Sequence, residues 1–129
     1  MIFERLFAPL RTKNLTLKNR IIMTAFQTNF AQDGKAGARF REFYWKRAEG
    51  GAALLIVGGA RFVRYGAAGH DFLSIENDSF LPELQLFTAG VHQRGAKTAI
   101  QLYHAGRYTK EKNLPAGEKA LAPSAVYST

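Results

Sequence analysis

Apolar residues recur along this chain with two different periods, and each change of period marks an element. In ARFREFYWKRAEGG, Phe40, Phe43, Tyr44 and Arg47 fall at i, i+3, i+4 and i+7. That spacing predicts a helix with one covered face, which the Arg47 stem can extend. Gly50-Gly51 supplies the left-handed stop. ALLIVGG follows as a continuous apolar run ended by glycines, the pattern of a strand buried on both faces. A second helix is predicted over FLPELQLFTAGVHQR, with Ser79 as N-cap, Pro82 in the first turn and Gly95 as terminator. Its Leu84, Phe87 and Val91 share one face. KTAIQLY, residues 97–103, reads as another strand, and Ile21, Ile22 and Met23 as a short earlier one. A hairpin turning at Lys13-Asn14 precedes them all. Residues 61–78 read as a long loop, and the tail from Lys110 as polar loop with Pro115 and Pro123.

Strand, helix, strand, helix, strand is the order of right-handed βαβ crossovers and a parallel sheet. Ligands in such folds bind beyond the carboxyl ends of the strands. Unusual residues gather at those three places. Thr24, Ala25, Phe26, Gln27, Thr28 and Asn29 follow the first strand, and Gly58-Gly59-Ala60 close the second. Gln101 interrupts the third strand, and His104 to Arg107 follow it.

Alternation along the third strand sends Ile100 and Leu102 to one face and Ala99, Gln101 and Tyr103 to the other. The first set suits a face covered by helices, and the second suits the inside of a barrel near its mouth. A side-chain amide there offers donors and an acceptor to a flat heterocycle with amide-like edges. Glycines after the second strand would let such a ring approach the backbone. Each feature also has a plainer reading. Gln101 could bond a neighbouring backbone group, Gly58-Gly59 could be an ordinary turn, and His104 with Arg107 could anchor a loop. His70 and His92 read as incidental, with His92 on an exposed helix face.

Composition narrows the field. The 129 residues, 47% of them hydrophobic, suit one globular domain. No apolar run approaches the roughly 20 residues that cross a bilayer. The N-terminal MIFERLFAPLRTK has no apolar core of a signal peptide, and there are no cysteines to build a disulfide framework or a thiolate metal site. The expected compartment is the cytoplasm. The net charge of +8 comes from the first half, where residues 1–64 hold 12 Lys or Arg against 4 acids; residues 65–129 hold 6 against 6. These cations are dispersed and do not alternate with aromatics, which argues against a nucleic-acid surface. The three histidines lack metal-ligand spacing, so no metal site is expected. No dinucleotide-binding glycine fingerprint, phosphate-binding loop or nucleophile elbow is present.

Seven segments, LFAPL, LKNRI-IM, RAEGG, ALLIVGG, FLPEL with VHQRGAK, QLYHAGR and LAPS, resemble the old yellow enzyme family in content and order, across essentially the whole chain. LIVGG and HAGRYT look most like its 2,4-dienoyl-CoA reductase branch. The resemblance implies an FMN-dependent NAD(P)H:flavin oxidoreductase on a TIM barrel, with NADH or NADPH as reductant and an activated C=C bond of an enoyl or dienoyl substrate as acceptor. It implies that Thr24, Ala25, Phe26 and Gln27 wrap the flavin, that Gly59 lies against the isoalloxazine, and that Gln101 bonds its pyrimidine end. The family's first loop commonly carries Pro-Met or Ser-Met before a Cys, Thr or His; here it is Ala25-Phe26-Gln27, which alters redox tuning. His104 and Arg107 are candidate residues of the site loop.

A barrel of this kind needs eight strands and about 250 residues. The resemblance places the catalytic proton donor, the substrate-anion residues and the flavin phosphate site later than residue 129. Residues 1–129 are therefore expected to be the N-terminal part of an FMN-binding TIM-barrel domain, a hairpin plus about three βα units. Any iron–sulfur cluster would belong to the C-terminal remainder. The isolated chain is expected to be inactive, to bind FMN weakly or not at all, and to pair its open edges as a homo-oligomer. The alternative is a non-catalytic interaction module, a partial barrel with a basic polyanion-binding face.

Overall fold

The computed structural model describes residues 3–67 and 71–125. A one-turn helix α1 (Glu4–Phe7) leads into a small antiparallel hairpin, β1 (Leu10–Arg11) with β2 (Thr16–Leu17). The turn at Lys13-Asn14 is clasped by Thr12, whose Oγ1 accepts from Leu15 N at 3.1 Å.

The main sheet is parallel throughout. Strand β3 (Ile22–Met23) pairs with β4 (Leu54–Arg61), which also pairs with β5 (Leu73–Ser74) and β6 (Lys97–Tyr103). β4 is the central strand, with β3 and β5 along one edge and β6 along the other. Helices α2 (Ala38–Glu49) and α3 (Leu81–Gln93) make the two crossovers and lie on one face. This is a mixed α/β fold with βαβ units in the expected order.

The core lies between helices and sheet. Phe40, Tyr44 and Ala48 of α2 and Phe87 and Val91 of α3 are buried against Leu55 and Val57 of β4. Phe40, Tyr44 and Phe87 form a three-ring cluster with centroids 4.9–5.6 Å apart and tilted or edge-on planes, the geometry ring quadrupoles favour. Burying each such side chain stabilises the fold by about 1.5–3 kcal/mol. Arg47 covers Phe43 as its spacing suggested, with its guanidinium 3.6 Å from the ring centroid. Gly51 (φ +100°) and Gly95 (φ +71°) end the helices in the left-handed region.

Several sequence expectations need correction. The predicted second strand does not stop at its glycines but runs through them to Arg61. Val57 pairs with Ile100 and Ala60 with Leu102, so β4 spends three steps where β6 spends two. The extra residue is a β-bulge, and Gly59 takes the positive φ (+46°) that such a bulge needs. The predicted loop 61–78 contains β5, which docks on the end of β4. Ser79 is not the cap of the second helix. The side-chain cap belongs to the preceding 3-10 turn (Asp78–Phe80), where Asn77 Oδ1 accepts from Ser79 N at 3.0 Å, and that turn feeds α3, whose N-cap position is Phe80. Leu102 is 63% exposed rather than covered, because β6 is an edge strand with no described element over that end. His70 lies outside the described residues.

Candidate functional site

Three chain segments meet at the carboxyl end of the sheet, and the bulge brings them together. Gly58 faces the backbone of Phe26, so closely that a Cβ there would overlap its N, C and O atoms. A Cβ on Gly59 would overlap Gln27 Oε1 and reach Phe72 at 3.2 Å. The close approach that these glycines permit is thus first of all an approach of the chain to itself. The segment after β3 lies directly on β4.

Gln101 sits across the ladder from the same bulge, between the Val57–Ile100 and Ala60–Leu102 pairs. Ile100 packs into the core, so alternation turns Gln101 to the opposite, helix-free face, where it is exposed. Ile22, Leu54, Ile56 and Ala99 share that open face by register. Thr24 and Phe26 are exposed above it, and Ala25 is half-buried. Thr24 to Gln27, Gly59 and Gln101 therefore form one neighbourhood.

Gln27 is the least satisfied member. Its Nε2 donates to Asn29 Oδ1 at 3.1 Å, while its Oε1 is buried without a hydrogen-bond partner. A buried amide oxygen left unpaired costs about 1–3 kcal/mol. Asn29 holds this arrangement from a left-handed conformation (φ +54°), which asparagine tolerates better than most residues. Phe72 stacks on Tyr103, with centroids 5.1 Å apart and planes at 27°, and forms a wall beside Gly59. Sequence reasoning placed Asn29 among the unusual residues after the first strand without giving it a role, and it missed Phe72. An Asn inside the first loop, a residue that tolerates the left-handed region, was a usable signal; nothing in the pattern marked Phe72.

His104 and Arg107 do not act together. His104 Nδ1 accepts from Gly106 N at 2.9 Å, and its ring lies 5.8 Å from Phe62. Next to it, Ala105 N donates to Gly66 O at 2.7 Å, which ties the loop after β6 to the loop after β4. Arg107 is exposed and turns to Tyr108, donating to its hydroxyl at 3.0 Å. No group of three or more metal-ligating side chains is found among the described residues, and no described helix is long and apolar enough to cross a membrane.

A parallel α/β sheet with two side-chain amides near its carboxyl end has the layout of an α/β barrel, the class of fold that binds ligands at that end. Residues 5–129 match the NADH:flavin oxidoreductase / NADH oxidase family, and the chain belongs to it. It is 39% identical over 123 residues to a metal reductase of Desulforamulus reducens, covering 95% of this chain and 18% of that protein. It is 34% identical over 113 residues to the N,N-dimethylglycine/sarcosine dehydrogenase of Chromohalobacter salexigens, covering 85% and 16%. Among solved structures, morphinone reductase in complex with tetrahydroNAD superposes with a TM-score of 0.85 at 30% identity, over 94% of this chain and 33% of that one. The old yellow enzyme homologue of Zymomonas mobilis gives 0.82 at 30% identity over the same shares. The fold is that of the N-terminal third of an old yellow enzyme TIM barrel. The chain spans under a fifth of the curated relatives' length and about a third of these solved structures.

Proposed function

We propose that these residues form the first part of the flavin site of an FMN-dependent NAD(P)H oxidoreductase acting on activated C=C bonds, of enoate or 2,4-dienoyl-CoA type. The observation that supports it best is the pairing of two amides around the bulge: Gln101, exposed on the open face, and Gln27, whose Oε1 is buried and unpaired. Both suit a flat ring whose edge alternates carbonyl and N–H groups. FMN, when bound, supplies hydride transfer between a nicotinamide reductant and the acceptor. The contribution of this chain is to hold and orient. Gln101 offers amide donors and an acceptor from the sheet, and Gln27 offers an unused acceptor from the loop. Ala25 and Phe26 provide apolar cover, with Thr24 beside them, and Gly59, with no side chain of its own, leaves the room that the Gln27 amide occupies. Gln27 can bond but cannot ionise, so this position exchanges no proton. His104, committed to Gly106, serves the loop.

The test replaces the corresponding third of morphinone reductase with this chain. The chimera should purify with visible flavin absorbance, and Gln101→Leu should weaken FMN retention about tenfold, the loss of roughly one hydrogen bond. The 129-residue chain alone, desalted after mixing with excess FMN, should come out colourless. A folded but colourless chimera, or one indifferent to Gln101→Leu, rules the reading out.

A further inference from the structure

A hollow whose charged lining is mostly basic lies beyond the end of β4. Its volume is about 330 Å³, and Asp33, Arg61, Arg64, Tyr65, Lys112 and Leu114 line it. That is within the size range of small-molecule sites. Arg61, the last residue of β4, has a side chain only 13% exposed. Its Nη1 donates to Arg64 O at 3.2 Å, and its Nη2 stands 3.8 Å from Glu76 Oε1, too far for a good charge-assisted bond. Both Nε of Arg61 and Oε2 of Glu76 are buried without a partner. An incompletely served buried guanidinium is costly unless something further occupies it.

Charge points the same way. Three cations line the hollow, against Asp33 within it and Glu76 behind Arg61, which leaves one positive charge uncompensated. Arg64 and Lys112 are exposed at the hollow, with the Arg64 guanidinium 5.9 Å from the ring centroid of Tyr65. Beside this hollow is a smaller, largely apolar one of about 160 Å³, lined by Val63, His104, Thr109 and Leu121, with the oppositely charged Glu118 and Lys119 also on its wall. The two share Tyr65 and Leu114. Thr109 Oγ1 is buried in the second without a partner.

We propose that the paired hollows bind an amphiphilic oxyanion: a phosphate or carboxylate head among Arg61, Arg64 and Lys112, and an apolar body beyond Tyr65 and Leu114. Both hollows open on the ligand-binding end of the sheet. The proposal does not rest on the flavin reading, since no residue of that neighbourhood lines either hollow except His104, which belongs to the loop.

The experiment is a titration of the full chain with hexyl phosphate, hexanoate and inorganic phosphate, followed by saturation-transfer NMR. At least one six-carbon probe should bind about tenfold more tightly than inorganic phosphate, and which one does so identifies the head group. Arg64→Ala with Lys112→Ala should weaken that binding about tenfold, while circular dichroism reports an unchanged fold. Lys46→Ala, on exposed α2 surface, should leave it unaltered. Leu121→Asn should remove the advantage of the apolar tail and spare inorganic phosphate. Absence of binding, equal loss in Lys46→Ala, or indifference to Arg64→Ala with Lys112→Ala each overturns the proposal.

Discussion

Below the Gly58–Gly59 bulge lies the hydroxyl of Tyr44, fully buried and without a hydrogen bond of ordinary geometry. Burial raises the phenol above its usual range, and the nearby Gly58 backbone and Arg47 only partly offset this. The ring contributes packing that Phe would keep, whereas the hydroxyl is a buried polar group with little return. Tyr44→Phe is therefore expected to be neutral or to stabilise the fold by up to about 1 kcal/mol, since removing an unsatisfied group recovers its desolvation cost. Urea unfolding would show it. A loss above about 1 kcal/mol would mean that the hydroxyl bonds Gly58 in solution. At this scale the sequence was only half informative. Gln101 stood out as an amide inside an apolar strand, but Tyr44 and Phe72 look like any other aromatic until the bulge brings them close.

Between elements, the tightest fit is that of α2 against α3. Trp45 lies flat on Gly90, where a Cβ would overlap the indole, and its Nε1 donates to Phe87 O at 3.1 Å. Alanine in a helix interior ordinarily gains about 1 kcal/mol over glycine. Overpacking costs typically 1–3 kcal/mol. At Gly90 the clash is with a rigid, hydrogen-bonded ring, so Gly90→Ala should be net destabilising by about 1 kcal/mol or more, read from the shift in unfolding midpoint. The same pair is tied by charge. Arg94 Nε donates to Glu49 Oε1 at 2.8 Å, and Arg41 pairs with Glu83. The Arg94 bond, then that of Lys46, lowers the Glu49 pKa from the ordinary carboxylate value. A lowered folded pKa means that the contribution is whole above the unfolded value and lost as pH falls through the folded one. The stability gap between the parent and Glu49→Gln should be small at neutral pH, because the pair is exposed. It should vanish at acid pH. A gap that persists in acid would assign the effect to helix propensity. The two long helices and β6 were legible because a sustained period survives over seven or more residues, and β4 because of its continuous apolar run. Strands of two residues carry no period, which is why β5 was read as loop. Asn77 rather than Ser79 supplies the side-chain cap because it bonds two residues onward and begins a 3-10 turn, ahead of α3, that spacing does not reveal.

Taken whole, the molecule is one-sided. Helices cover one face of the sheet, while the other presents Ile22 (39% exposed), Gln101 and, above it, Phe26 (59% exposed). The outer edge of β6 is unpaired among the described residues. An exposed apolar face beside an open strand edge favours association. The isolated chain should therefore show a concentration-dependent sedimentation coefficient in the micromolar range, unaffected by salt because the contact is apolar. A strictly monomeric species would mean that the face is adequately solvated. Some of the cations are engaged with aromatic rings. Arg39 lies over Phe30 at 4.0 Å, and Arg47, Arg94 and Arg107 cover other rings.

The extra residue in β4 also sets which way the end of that strand looks. Val57 and Ala60 both enter the core although three positions separate them, and Arg61 is thereby sent towards Glu76. Ironing out the bulge with every residue kept would restore strict alternation and rotate everything after it by half a turn. The guanidinium would then be driven into the hydrocarbon interior, and Ala60 would be left facing the carboxylate. Excising one glycine would instead leave both on their present faces.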